Sequence, residues 1–367
     1  MNKIKILFIN GGIMDRGGIS SFICNYLKYF NFNIFEVHVA VHGDLVGSRN
    51  MDIERLGCKI YYLPIKSKSF IKWTKELTDI MEINQYDIVH SNADAGNGLI
   101  LKIAKKCNIP VRISHSHNTQ FLTKNKIKII LNKYQRKQIK KYATHLFACS
   151  ELAGKWLYGK YNFEVINNAI DYDLFVFNEM QRKKIRDKLN IDKNTYVIGH
   201  VGRFDYQKNH YFILKLAKLL KKENIIFLLI GEGHLKKEIE REIIRENLNN
   251  IILTGEIKNV SEYLNAMDCF ILPSLFEGLS VVSIEAQVNG LKCLFSDTIT
   301  KESCISSKTI FLSINQISLW KEMLLKMKND IHMNRKIELN DNYNLKVQSN
   351  NLQKKYIGFI KEVRNEN

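Results

Sequence analysis

Ser274-Leu275-Phe276-Glu277-Gly278-Leu279-Ser280-Val281-Val282-Ser283-Ile284-Glu285-Ala286 is the stretch on which the reading of this chain turns. It follows Asp268-Cys269-Phe270-Ile271-Leu272-Pro273, a short apolar run ended by proline, which reads as a buried strand delivering its carboxyl end to a loop. Glu277 and Glu285 stand eight positions apart across a loop-to-helix junction, and Gly278 leaves the backbone uncrowded where the helix is expected to begin. The first amides of a helix have no internal partner and meet an anion with a favourable dipole, so Gly278, Leu279 and Ser280 are placed to receive a pyrophosphate. Glu277 would then stand at a sugar. Glu285 falls among Val281, Val282, Ile284, Ala286 and Val288, where a ribose diol would give its carboxylate a partner. The plainer reading makes Glu277 an N-terminal helix carboxylate and Glu285 a surface charge on a half-buried helix.

Outward from this stretch, short apolar runs alternate with longer helix-period segments, the pattern of strand-helix units and parallel sheets. The strands expected in the first half are Ile4 to Ile9, Val37 to Val41, Lys59 to Leu63, Ile88 to Ser91, Val111 to Ser114 and His145 to Cys149. In the second half they are Tyr196 to Val201, Ile226 to Ile230, Ile251 to Thr254, Cys269 to Leu272 and Lys292 to Phe295. Two such series predict an α/β chain of two doubly wound, Rossmann-like domains, 1–170 and 171–344, facing a central cleft with ligand at the carboxyl ends of the strands. A last helix, 345–367, has no strand after it and is expected to pack back on the first domain.

The 367 residues, 45% of them hydrophobic, suffice for two cores. The apolar run after Met1 is too short for a signal-peptide core, and no stretch approaches the roughly 20 apolar residues that span a bilayer. Seven scattered cysteines lack paired metal-ligand spacing and suit a reducing cytoplasm. The net charge of +18 permits an acidic partner without naming it. Its excess concentrates at Lys124, Lys126, Lys128, Lys133, Arg136, Lys137, Lys140 and Lys141, interleaved with Ile127, Ile129, Ile130, Leu131 and Tyr134. Such a helix suits an anionic lipid surface, so the expected location is cytoplasmic with peripheral contact at the inner face of the plasma membrane through Lys124 to Lys141. A merely solvated basic helix is the competing reading. Zinc-finger spacing and RNP-like aromatics are absent, which argues against nucleic acid.

Further chemistry gathers at expected strand ends. Gly11, Gly12, Gly17 and Gly18 form a glycine-rich turn after the first strand, where phosphates can approach backbone, although the spacing is not that of a dinucleotide fingerprint. Arg203 and Lys208 follow Gly202 just past a strand and would neutralise a leaving diphosphate. His90, His115 and His117 sit near strand ends and can hydrogen-bond a sugar hydroxyl or steady a developing charge. Without a carboxylate or cysteine in ligand spacing beside them, no bound metal and no cofactor is expected.

Together these residues resemble the retaining GT-B glycosyltransferases of family 4, which include bacterial capsule and exopolysaccharide enzymes. The resemblance covers nearly the whole chain and rests on Gly11 to Gly18, Gly202-Arg203 with Lys208, Leu229-Ile230-Gly231-Glu232-Gly233, and the E-x7-E pattern Glu277 to Glu285. It implies that Glu277 contacts the donor sugar, Glu285 the ribose, and Arg203 with Lys208 the diphosphate. It also implies that Thr254 to Val260, with Glu256 and Ile257, line the base, and that His117, or His115 in its place, stands at the sugar. One departure is Asn168-Ala169, where the family usually has Gly after Asn. The expected reaction moves a hexose or N-acetylhexosamine from a UDP-sugar to a glycan acceptor, with retention, without metal and without a protein nucleophile, and the basic first domain adds the expectation that the acceptor is lipid-linked. A nucleotide-sugar 2-epimerase of the same fold and a non-catalytic binding protein with a basic surface are the alternatives. Epimerisation without an acceptor marks the first, and binding without turnover the second.

Overall fold

The computed structural model describes residues 3–15, 17–121, 123, 125–277, 279–330, 335 and 340–365. The chain divides into two compact units, Met1–Ala169 with Asp341–Asn367, and Ile170–Asn340.

The first unit carries seven parallel strands: β1 (Ile4–Asn10), β2 (Phe35–His42), β3 (Lys59–Leu63), β4 (Ile88–Asn92), β5 (Val111–Ser116), β6 (His145–Ala148) and β7 (Glu164–Val165). Their order is β3-β2-β1-β4-β5-β6-β7, so the direction of winding reverses between β1 and β4. Strands buried on both faces are continuous apolar runs, and Ile6, Leu7, Phe8 and Ile9 of β1 are all fully buried. The C-terminal helix Leu345–Asn365 packs on this unit's core through Leu345, Leu352, Tyr356 and Ile360. Ser349 and Gln353 of that helix bond the carbonyls of Tyr26 and Tyr29, at 2.8 and 3.0 Å.

The second unit carries six parallel strands: β8 (Tyr196–Val201), β9 (Ile225–Ile230), β10 (Ile251–Leu253), β11 (Cys269–Leu272), β12 (Lys292–Ser296) and β13 (Thr309–Leu312). The order β10-β9-β8-β11-β12-β13 puts its reversal between β8 and β11. Helix Glu179–Lys188 is fastened to this sheet by charge: Arg182 and Arg186 each reach the Asp268 carboxylate at 2.6 Å, and Asp268 also accepts the Val197 amide at 2.8 Å. All three side chains are largely buried, so each charge depends on the others.

The two doubly wound parallel sheets match the sequence expectation. β7 and β13 were not foreseen, and both lie at the edge of a sheet, where a strand needs little apolar sequence.

Candidate functional site

In open parallel sheets ligands gather at the carboxyl ends of strands where the winding reverses, and each unit presents chemistry there. In the second unit the loop after β8 supplies Lys208 and the loop after β11 supplies Glu277. Their side chains form an ion pair, 14% and 9% exposed respectively. Glu277 also accepts from Ser274 Oγ at 2.9 Å and from Gln207 Nε2 at 3.1 Å. The Leu275 amide bonds the Gln207 carbonyl at 2.8 Å, tying the two loops together. A carboxylate with three donors keeps one orientation.

Glycines let the neighbouring loops close up. A Cβ on Gly202 would lie 3.0 Å from His200 Nε2 and 3.0 Å from Cγ and Cδ of Lys208, so the lysine stem lies over bare backbone. Gly231, at φ +142°, admits the Gly202 carbonyl so closely that a Cβ would sit 2.1 Å from its oxygen. Arg203 is exposed and makes no ion pair with any described residue, which leaves its guanidinium available to an anion. Glu256 is exposed and Ile257 half-buried on the loop after β10.

The helix carrying Glu285 is Val281–Val288, and this corrects the expectation that it begins at Gly278. Ser280 is its N-cap with extended backbone, φ −75° and ψ 116°. The Ser283 hydroxyl and amide both donate to the Ser280 carbonyl, at 2.6 and 3.1 Å, and close the first turn there. The amides at the helix start are therefore those of Ser280, Val281 and Val282, while Leu279 precedes it and Gly278 lies outside the described residues. Leu279 and Ser280 are buried, and Glu285 is half-buried one turn into the helix.

In the first unit the glycine-rich turn is ordered by its own side chains. Asn10 Nδ2 donates to the Ile13 carbonyl and to Ser20 Oγ, at 3.1 and 3.0 Å, and Asp15 Oδ1 accepts the Gly17 amide at 2.7 Å. A Cβ on Gly11 would lie 3.2 Å from Ala93 Cα, across the reversal between β1 and β4, whereas Gly12 and Gly18 face open space. Helix Gly18–Leu27 starts at this turn.

The histidines separate by environment. His90 and His115 are fully buried, while His117 keeps an exposed edge. Asn92 Nδ2 donates to the His90 carbonyl at 3.2 Å, which turns its Oδ1 toward His117 Nε2 at 2.8 Å. His117 therefore carries its proton on Nε2 and offers the Nδ1 lone pair. Burial pushes this imidazole down to about 3, so it is neutral near pH 7. Asp94 accepts the His117 amide at 2.7 Å and Asn118 Nδ2 at 2.6 Å. No carboxylate stands near His117 in sequence. Folding brings this one from 23 residues away and occupies both its oxygens with donors. Gln207, Asn92 and Asp94 were missed because their partners stand 70, 25 and 23 positions away, and Ser274 because a loop serine three positions from a glutamate carries no mark of the bond it makes.

Residues 16–174 match the family described as Glycosyltransferase Family 4, and residues 181–340 match Glycosyl transferases group 1. EpsF of Bacillus subtilis, whose name assigns it to the glycosyltransferases, is 32% identical over 338 residues, covering 87% of this chain and 86% of EpsF. The chain belongs to glycosyltransferase family 4. Other relatives of this family 4 glycosyltransferase include the capsular polysaccharide biosynthesis glycosyltransferase CapH of Staphylococcus aureus, 29% identical over 77% of this chain and 78% of CapH. The UDP-Gal:alpha-D-GlcNAc-diphosphoundecaprenol alpha-1,3-galactosyltransferase of Escherichia coli is 26% identical over 75% and 76%. The crystal structure of Anabaena HepE in complex with UDP-glucose superposes with a TM-score of 0.76 at 14% identity, covering 99% of each chain. Its likeness shows the fold, which is GT-B.

Proposed function

We propose that this family 4 glycosyltransferase moves a hexose or N-acetylhexosamine from a UDP-sugar to a lipid-linked glycan acceptor, with retention, in capsule or exopolysaccharide synthesis. The observation that carries the reading is the Lys208–Glu277 pair at the reversal of the second sheet, with Arg203 exposed on the same loop and in no ion pair with any described residue. Lys208 and Arg203 supply counter-charge for the diphosphate, and Glu277 holds the donor sugar by its hydroxyls. The helix-start amides of Ser280, Val281 and Val282 take phosphate oxygens, Glu285 takes the ribose, and the loop with Glu256 and Ile257 lines the base. In the first unit the open backbone at Gly12 and Gly18 is offered to phosphate, and His117 Nδ1 accepts from a sugar hydroxyl.

In this scheme the bond from the anomeric carbon to the diphosphate oxygen breaks as the acceptor oxygen joins the same face. The acceptor proton passes to the departing phosphate. No protein nucleophile and no metal enter, because the two cations meet the developing charge. The names of CapH and the Escherichia coli galactosyltransferase support the capsule role, the UDP-sugar and the diphospholipid acceptor.

The lipid part has support from helix Lys126–Tyr142, where Ile127, Ile130 and Tyr134 are 71%, 66% and 63% exposed among the lysines; Lys124 lies outside the described residues. Among the described residues no helix is long and apolar enough to cross a membrane, so contact would be at the surface.

The test is a thermal-shift panel of UDP-, GDP- and ADP-sugars, followed by product analysis with wild type and Glu277→Gln. A ligand at a hundred times its dissociation constant stabilises by about 2.7 kcal/mol. Stabilisation by UDP-sugars and acceptor-dependent transfer support the reading. Epimerised donor without acceptor would point to the epimerase alternative, and binding without turnover to a non-catalytic protein.

A further inference from the structure

Tyr356, His90 and His115 form a buried chain that the transfer scheme leaves unused. Tyr356 Oη lies 2.5 Å from His90 Nδ1, and His90 Nε2 lies 3.0 Å from His115 Nδ1. All three side chains are 0% exposed. His115 Nε2 is buried without a partner among the described residues. Beyond it the His115 ring stacks on His117, centroids 4.1 Å apart and planes 29° from parallel, with Phe22 against both rings at 4.8 and 5.4 Å.

The direction of the chain follows from its hydrogens. Among the described residues the Tyr356 hydroxyl has His90 Nδ1 alone to donate to, and a buried phenol hydrogen without an acceptor is costly. With Nδ1 accepting, a neutral His90 carries its proton on Nε2 and gives that hydrogen bond to His115 Nδ1. His115 then carries its own proton on Nε2, the single group of these three side chains left unpaired among the described residues, whereas the reverse direction would leave both the phenol hydrogen and the Nε2 lone pair unpaired. One phenol hydrogen thus sets the tautomers of two imidazoles, both of which burial keeps neutral.

We propose that Tyr356, on the C-terminal helix, is a positioning residue for the sugar-facing His117, acting through the fixed rings of His90 and His115. The inference rests on the assignment of His117 to the donor sugar. It gives the segment after Asn340 a part in the site: the helix both closes the core of the first unit and orients the imidazole stack. Without the hydroxyl, His90 is free to hold its proton on either nitrogen, and the His115 ring stacked on His117 is no longer held to one tautomer.

The experiment uses the full chain with ring-labelled histidine. Long-range proton–nitrogen spectra of the wild type should show His90, His115 and His117 each protonated on Nε2. Tyr356→Phe removes the hydroxyl and keeps the ring that packs against Phe8 and Phe30. It should give mixed tautomers at His90 and His115 and lower kcat/KM for the UDP-sugar turned over by about fivefold, the loss expected for one hydrogen bond. Affinity for UDP alone should stay unchanged.

Wild-type spectra with His115 protonated on Nδ1 would overturn the proposal without any variant, even if Tyr356→Phe failed to fold. Unchanged kcat/KM in a folded variant would overturn it as well. If no nucleotide-sugar were turned over by the wild type, the assigned function would fail, while the tautomer spectra would still decide the chain.

Discussion

The Lys208 ammonium meets the Glu277 carboxylate across the place where the second sheet reverses its winding, although the two residues are 69 positions apart. Removing either partner leaves the other mostly buried and uncompensated. Glu277→Gln should lower kcat/KM by about a hundredfold, the scale of losing charge-assisted hydrogen bonding of about 3 kcal/mol to the donor sugar. Steady-state kinetics at matched folded fraction checks this, and a loss below threefold would take Glu277 out of the reacting site.

Gly202→Ala should act on Lys208. The new methyl would press on His200 Nε2 and on the lysine stem, both 3.0 Å away, and only the lysine is flexible enough to yield. Titration with UDP should show about a tenfold loss of affinity, as for one displaced charge-assisted hydrogen bond of about 1.5 kcal/mol. An unchanged affinity would mean that Lys208 does not touch the nucleotide.

Asp268→Asn should unfold the second unit more readily without touching the ligand groups. It leaves the Arg182 and Arg186 guanidinium groups buried without their counter-charge, at a cost of about 3 kcal/mol or more. Urea denaturation measures the loss. A midpoint equal to that of the wild type would show that solvent reaches the cluster.

Acid should destabilise the fold before carboxylates are protonated. Burial lowers the pKa of His90, His115, His117, His200 and His210, to about 3 for His117 and about 4 for His210. The unfolded chain takes up these protons near pH 6.5 and the folded chain does not. Stability is therefore full above that value and falls as the pH drops toward the folded pKa values, by about 1.4 kcal/mol per pH unit for each imidazole. Denaturation midpoints at about pH 7 and pH 5 compare the two regimes. A midpoint that did not fall would contradict the burial of these rings.

The exposed apolar side chains on helix Lys126–Tyr142 should matter to lipid contact and to little else. Replacing Ile127, Ile130 and Tyr134 by Ser should reduce co-sedimentation with phosphatidylglycerol vesicles by about tenfold or more, with unfolding unchanged. Equal retention of wild type and variant would assign the binding to lysine charge alone, and high salt would then abolish it.

Much of the fold was legible because buried parallel strands write themselves as apolar runs. β3, β8 and β11 begin and end where their sequence says. β7, two residues long, and β13, half-buried at a sheet edge, give no such run. The glycines, Lys208 and Glu277 were legible because turn chemistry and charge at strand ends are local signals. Their partners were not. Ser274 and Gln207 look like ordinary loop residues, and Tyr356 meets His90 across 266 positions, a distance over which only the folded topology connects them. The helix starts at Val281 rather than at the expected Gly278, and the Ser283 hydroxyl closes its first turn on the Ser280 carbonyl, a bond that no local pattern announces.

The most direct test of sugar transfer is UDP release from UDP-sugars by wild type and Glu277→Gln, assayed side by side with and without a bacterial polyprenyl-diphosphate glycan. Release by the wild type should rise with acceptor, and release by the variant should be about a hundredfold slower. Equal rates for the two proteins, or no release from any UDP-sugar with that acceptor, would contradict the proposed transfer.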